Sequence, residues 1–477
     1  MTHDALDDIT WIGDVGQSTH EELDVLRPGA NFQWDFLEGS ATHEPMSVLP
    51  LGVWTDPVLE LERSESVAVI GGYVYRGARF PELYGKYIFG DFFFGSIWAL
   101  DYTYDGASAT AVGRERLLTN LLGKAGTISS FGQDLAGELY VLVMGGQAEV
   151  QRLERGNAAD ALPAHLSRTG VFEDVAALEP NAELVPYSVQ SPLWSDGAVK
   201  QRWVHLPSAS QIGFAPEGAW HFPEGTLFVK HFEMALDERE PEQRRRLETR
   251  LLVAARGGRY YGVTYKWNAD QTDAEPLFDS QEEELEIIGE DGSVRQQSYF
   301  YPSPSDCLVC HNADAGYVLG ARTAQLNGPA RDAAPESSQL AEWSARGWLD
   351  TPLTNEQIAE LPRLAAISDE TRPLEERVRS YWDSNCSMCH GAVSSIRATW
   401  DARFQTPLER QGVVFGSLSG EAELPLESFV VAPHDLEHSA MWQRAVSTDA
   451  AVRMPPLGRR RVDAQYVDVL ERWIDSL

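Results

Sequence analysis

Cysteine is scarce in this chain. Four occur in 477 residues, Cys307, Cys310, Cys386 and Cys389, and so few in so long a chain exclude a disulfide-stapled scaffold. Positive charge is also short: 39 Lys and Arg stand against 72 Asp and Glu, a formal net charge of −33. A surface that acidic repels phosphate, which argues against nucleic acid and anionic lipid as partners. No run of about 18 apolar residues occurs, so no membrane-spanning helix is expected. The N-terminal stretch MTHDALDDIT is acidic and lacks the apolar core of a secretory leader. What the chain does have is apolar and aromatic content, 43% and 10%, enough for several cores and too much for general disorder. At roughly 150 residues per domain, the length predicts about three domains.

The fold expected is multidomain. Residues 1–155 read as β: the short apolar-aromatic runs SVAVIGGYVYRG, GKYIFGDFFFGSIWAL and GELYVLVMGG are separated by Gly, Pro, Asn and Asp turns, the pattern of a sandwich, barrel or propeller. Residues 156–163, GNAADALP, have the composition of a linker. A β-rich domain is expected over 163–365, with a charged hairpin tip at 238–248 and a surface loop at 327–342. An all-α domain is expected over 370–477. There Leu374, Val378, Tyr381 and Trp382 recur at helical spacing behind Pro373, and Tyr466, Val467, Leu470, Trp473, Ile474 and Leu477 mark an amphipathic C-terminal helix.

The four cysteines form two C-x-x-C pairs, each followed at once by histidine: CLVCH (307–311) and CSMCH (386–390). C-x-x-C-H is the attachment pattern of c-type haem, in which two thiols bond the porphyrin edge and the adjacent histidine reaches the iron. The competing readings are a zinc site built from the two C-x-x-C arms, a redox dithiol and four structural cysteines. Two such motifs in a chain with no other cysteine favour two covalent haems. Cys307 and Cys310 would then anchor the first, with His311 as iron ligand; Cys386 and Cys389 would anchor the second, with His390 as ligand. Met454, in RMPPLG just before the last helix, is the distal ligand expected for the second haem, with two prolines to stiffen its loop, and Met441 is the runner-up. Between His311 and Cys386 there is neither histidine nor methionine. A distal ligand for the first haem must therefore come from upstream or from the other haem domain, or be water. The upstream candidates are His165, His205, His221, His231 and Met234, and His231, in LFVKHFEM on an expected strand, is preferred. An open iron would instead make this haem a catalytic, peroxidase-like site.

Residues 165–477 resemble a bacterial dihaem c-type cytochrome family through SPLWSDGAVKQRW (191–203), FPEGTLFVKHFE (222–233), ETRLLV (248–253), VTYKWN (263–268), PSDCLVCH (304–311) and LGARTAQLNG (319–328). That resemblance implies haem binding, electron transfer to a redox partner protein and a periplasmic or extracellular location. Residues 11–155 are similar to the last part of the glucose/sorbosone dehydrogenase propeller through WIGDVGQSTHEELDVL (11–26), GANFQWDFLEG (29–39), GGYVYRGARFPELYGKYIFGDFFFGSIWAL (71–100) and SFGQDLAGELYVL (130–142). This similarity implies partial β-propeller blades, two to three of them, too few to close a ring. Pyrroloquinoline quinone and Ca2+ belong to a complete propeller of that family, and no catalytic residue carries over; Arg76 and Asp91 fall within the similar stretches but suit exposed turns equally well. The expectation is that this chain is the C-terminal part of a longer exported dehydrogenase–cytochrome fusion, whose leader and remaining blades precede it.

Overall fold

A computed structural model of the chain describes residues 1–44, 51–63, 65–118, 128–144, 149–153, 162–255, 258–330, 337–391, 400–418, 428–449 and 452–477. The residues gather into two compact units, Met1–Ala161 and Leu162–Leu477. The molecule is multidomain and strand-rich, with many small sheets and few helices. Most of the expected linker at 156–163 lies outside the described residues.

In the first unit the alternation of apolar and polar residues resolves into antiparallel sheets. One has four strands, Thr2–Asp4, Ile9–Asp14, His20–Val25 and Leu59–Glu62. A second has four, Val69–Val74, Tyr87–Asp91, Ile97–Tyr104 and Ala109–Leu118. A third has three, Ile128–Gln133, Leu139–Val143 and Glu149–Arg152. Trp11 stacks on Tyr87 at 4.4 Å between ring centroids and Phe89 on Trp98 at 5.3 Å. These rings form one core from two sheets. Asp91 is not an exposed turn residue: it is fully buried and ties a turn together by accepting from Ser66 Oγ and the Val67 and Ala68 amides. Arg76 is held by Asp4 and Asp7.

In the second unit the main sheet is an antiparallel meander of six strands: β1 (Val185–Pro186), β2 (Val199–His205), β3 (Leu227–Ala235), β4 (Arg244–Ala255), β5 (Arg259–Trp267) and β6 (Ala274–Leu277). Successive side chains point to opposite faces. Trp203, Val229, Leu251 and Val263 pack with Trp267 on one face. Val204, Phe228, Leu252 and Tyr260 serve the other, where the helical segments lie. The expected charged tip at 238–248 is only partly a loop. Residues 244–248 belong to β4, and Glu248 is fully buried because it pairs with Arg250. Seven short helices follow among the described residues: α1 (Pro304–Cys310), α2 (Thr323–Leu326), α3 (Gln339–Ala345), α4 (Asn355–Glu360), α5 (Leu374–Asn385), α6 (Ala440–Val446) and α7 (Ala464–Ile474). The surface loop expected at 327–342 gives way at its end to α3, where Leu340 is buried in the core; residues 331–336 lie outside the described residues.

Beyond residue 370 the described elements are α5, α6, α7 and a 3-10 turn at Leu408–Arg410, but β-bridges also join Val414 to Val431 and Phe429 to Ser439, so the expected all-α domain is not supported. Helices α5 and α7 meet through Tyr381 and Tyr466, stacked at 3.8 Å, and through Trp382, whose indole N–H donates to the Tyr466 hydroxyl at 2.9 Å. The stretch is nevertheless part of the same compact unit as the sheet. Polar contacts explain this. Ser191 Oγ donates to the Ser380 carbonyl at 3.1 Å, the Trp194 amide to Asn385 Oδ1 at 2.7 Å, and the Arg460 and Arg461 amides to Asp196 Oδ1, each at 2.8 Å. The SPLWSD segment thus clamps the end of α5 and the chain after Met454. No helix among the described residues is long and apolar enough to cross a membrane.

Candidate haem-binding site

Helix α1 carries the first motif. Ser303 and Asp306 close a capping box at its start, with Pro304 in the first turn. The helix lies against β5, where Gly262 leaves room for Cys307: a Cβ on Gly262 would stand 2.8 Å from Cys307 Cβ. The chain leaving α1 turns through Gly316, whose φ is +68° and where a Cβ would meet Ala219 Cβ at 2.2 Å. That turn delivers the Tyr317 carbonyl to His311 Nδ1 at 2.6 Å. A carbonyl only accepts, so Nδ1 carries the proton and Nε2 is left with its lone pair. A backbone carbonyl that fixes the tautomer and aims the other nitrogen is the usual support of a metal-binding histidine.

The second motif begins where α5 ends, with Cys386 as its C-cap. His390 packs against Trp400 at 4.7 Å between centroids, and its buried Nδ1 has no partner among the described residues. The two motifs touch: Asn312 Nδ2 donates to the Val309 carbonyl at 2.9 Å and to the Met388 carbonyl, inside CSMCH, at 3.2 Å.

Cys307, Cys310, His311, Cys386, Cys389, His390 and Met454 all line one cavity. It has a volume of about 220 Å³ and an open mouth, and its wall is largely apolar, with Phe228, Leu252, Val318 and Phe300 among the lining residues. Burial in this wall pushes the Cys307 thiol up to about 11 and those of Cys310 and Cys386 to about 12. A redox dithiol needs the opposite shift, toward the thiolate. The same burial lowers His311 and His390 to about 4, so both imidazoles are neutral at pH 7, the form that binds iron. Among the described residues no group of three or more His, Cys, Asp or Glu is placed to hold a bare metal ion. Paired thiols, a neutral oriented imidazole and an apolar wall fit haem.

The structure therefore brings seven of the eight expected site residues together and leaves one out. His231 does not reach the cavity. It lies on the opposite face of β3, fully buried, with Nδ1 at 2.8 Å from Thr249 Oγ1, Nε2 at 3.3 Å from Glu233 and its ring edge-on to Trp267. Strand alternation turns its neighbour Lys230 toward the cavity instead. None of His165, His205, His221 and Met234 lines it either. Met441 packs into the core between α5 and α7. Sequence reasoning missed Gly262, Asn312 and the 191–196 clamp. Of these, only the clamp carried a signal, as part of a motif whose role its residue types did not reveal.

No family model matches the chain. Among curated proteins it is similar to HIPL2 protein of Arabidopsis thaliana, 30% identical over 172 residues, which is 31% of this chain and 25% of that one. It is also similar to HIPL1 protein of the same plant, 28% identical over 170 residues, 30% of this chain and 24% of that one. The chain thus spans about a quarter of the length of the curated relatives it matches. Among solved structures, a soluble aldose sugar dehydrogenase from Escherichia coli in the apo form aligns with 31% of this chain and 42% of its own, at 20% identity and a TM-score of 0.25. None of these three is described as a cytochrome.

Proposed function

We propose that residues 162–477 form a dihaem c-type electron-transfer module, with both haems covalently held in one cavity. The observation that carries this reading is the convergence of the two C-x-x-C-H motifs and Met454 on a single apolar-walled space. Haem bound there supplies one-electron redox chemistry. The residues do the rest. Cys307, Cys310, Cys386 and Cys389 fix the groups in place, His311 and His390 present neutral imidazole nitrogens, and apolar side chains make up most of the wall around them. The acidic chain suits a redox partner protein with a neutral or basic face. A module with covalent haem belongs to the periplasm or the outside of the cell, and that is the location proposed.

For residues 1–161 the reading is two to three blades of a glucose/sorbosone dehydrogenase-like propeller. Four-stranded antiparallel sheets of blade size support it, as does the partial similarity to the HIPL proteins. In a full-length dehydrogenase–cytochrome fusion a complete propeller would hold pyrroloquinoline quinone and Ca2+. No residue of this chain is assigned to either.

The test is a pyridine haemochrome count on protein exported with haem-maturation factors. Two covalent haems per chain are expected; none would overturn the reading. In the same material Met454→Ala should shift one of two redox waves to lower potential and remove the methionine–iron charge-transfer band, because a thioether ligand favours reduced iron. Both waves staying in place would dismiss Met454 as a ligand. A second reading, a peroxidase-like site at the first haem, draws on the absence from the cavity wall of every upstream histidine weighed. Fast reaction of the reduced protein with carbon monoxide would favour it.

A further inference from the structure

Three cations stand side by side on the cavity face of the main sheet. Arg202 on β2 is directly opposite Lys230 on β3, and Lys230 is directly opposite Arg250 on β4. All three line the cavity. Like charges directly opposite on neighbouring strands destabilise a sheet, and the cost rises away from water. Arg250 is compensated from within and, among the described residues, Lys230 is not. Glu248 accepts from Arg250 Nε at 2.9 Å and from its Nη2, and also takes the Tyr299 hydroxyl at 2.7 Å. Lys230 has no hydrogen bond or ion pair among the described residues; its ammonium lies over the Phe232 ring at 5.1 Å, which Arg250 shares at 4.4 Å. Burial, and then the charges of Arg202, Lys200 and Arg250, push Lys230 well below the ordinary lysine value, with Glu248 acting the other way. Lys200 is itself tied to the Leu193 carbonyl at 2.7 Å.

The row belongs to the first motif. Arg250 is opposite Thr264 on β5, two residues from the Gly262 on which Cys307 rests. Lys230 and Arg250 act electrostatically on Cys310 and His311, whereas the cation acting on His390 is Arg444.

We propose that the Arg202–Lys230–Arg250 row is the seat of the propionate carboxylates of the haem anchored at Cys307 and Cys310. This rests on the dihaem reading. A haem carries two carboxylates, and a carboxylate opposite Lys230 supplies the partner that no described residue provides. The arginines flank it with forked donors suited to carboxylate geometry. The row also gives the haem one orientation, with its carboxylate edge toward the sheet.

The experiment is a redox titration across pH of the full chain with both haems attached, comparing wild type, Lys230→Gln and Lys230→Arg. Haem count is taken first, so that a wild type without haem is recognised as failure of the dihaem reading, which removes this inference with it. With two haems present, Lys230→Gln should lower the midpoint of one wave, because a nearby cation disfavours the oxidised charge. The pH at which that midpoint changes slope should rise by roughly one to three pH units, the usual effect of a cation on an adjacent carboxyl. Lys230→Arg should restore both. Unchanged midpoint and pH profile in Lys230→Gln would overturn the proposal. So would a change from low-spin to high-spin iron in both variants, which would make Lys230 an iron ligand rather than a charge.

Discussion

Gly262→Val is expected to halve the covalent haem content, from two per chain to one, while the remaining haem keeps the spectrum and potential of the second motif. The argument is steric. A Cβ at position 262 would stand 2.8 Å from Cys307 Cβ and 3.2 Å from its Sγ, closer than carbon atoms pack. Overpacking of this kind costs about 1–3 kcal/mol, and the less firmly held partner yields. Gly262 sits in β5, paired with Leu252 of β4, and β5 is an inner strand of the six-stranded sheet. Helix α1 has seven residues, and a helix that short does not stand alone in water. So α1 moves, and the thiols of Cys307 and Cys310 move with it. Helix α5 and CSMCH keep their anchors on α7 and the 191–194 clamp even if the bond from Asn312 to the Met388 carbonyl is lost. Mass spectrometry of the intact chain reads the outcome directly. Two haems retained in Gly262→Val would show that α1 tolerates displacement and that its seat on β5 does not position the motif.

Much of this site was legible before any coordinate. The cysteines and histidines announce themselves by spacing, and α5 and α7 by the recurrence of Val378, Tyr381 and Trp382 and of Tyr466, Leu470 and Trp473 every three or four residues. Met454 was proposed from its place between the motif and the last helix, and it lines the same cavity as the motifs. What failed was the choice of His231, and the reason is geometric. The run LFVKHFEM marks a strand, but period-two alternation leaves open which set of side chains faces the cavity, and a one-residue difference exchanges Lys230 for His231. The answer lies in the packing of α1 on Gly262 and Thr264, which no local pattern encodes. The clamp was illegible for a related cause. Its bonds join residues about 190 apart in sequence, and they bind the helical segment into the same unit as the sheet. The strands of the first unit were legible as apolar runs. The buried carboxylates within them were not, because HEELDV reads as an ordinary half-exposed strand.

Those carboxylates give the second large effect: Asp24→Asn should stabilise the first unit at pH 8 and change little at pH 5. Asp24 is fully buried and neither carboxylate oxygen has a hydrogen-bond partner among the described residues. Burial, and then the charges of Glu22 and Asp14, push its pKa up to about 8. Burial likewise raises Glu21 and Glu22 to about 7. With the folded pKa above the unfolded one, the native state holds the extra proton between about pH 4 and pH 8. Stability therefore falls as pH rises through that window. Asparagine keeps the shape and cannot ionise, so the loss on going to pH 8, on the order of a few kcal/mol, is avoided. Glu38 is the control of opposite sign. Four hydrogen bonds from the Ser18 amide and hydroxyl and the Thr19 and His20 amides hold it down at about 2. Its contribution is fully present above the ordinary carboxylate range and is lost as pH falls toward 2, so Glu38→Gln should destabilise at pH 8 and less at pH 3. Thermal unfolding of the full chain followed from pH 3 to pH 8 measures both variants. A first-unit midpoint in Asp24→Asn that tracks wild type at every pH would mean that Asp24 is solvated or paired in solution and that its burial carries no electrostatic cost.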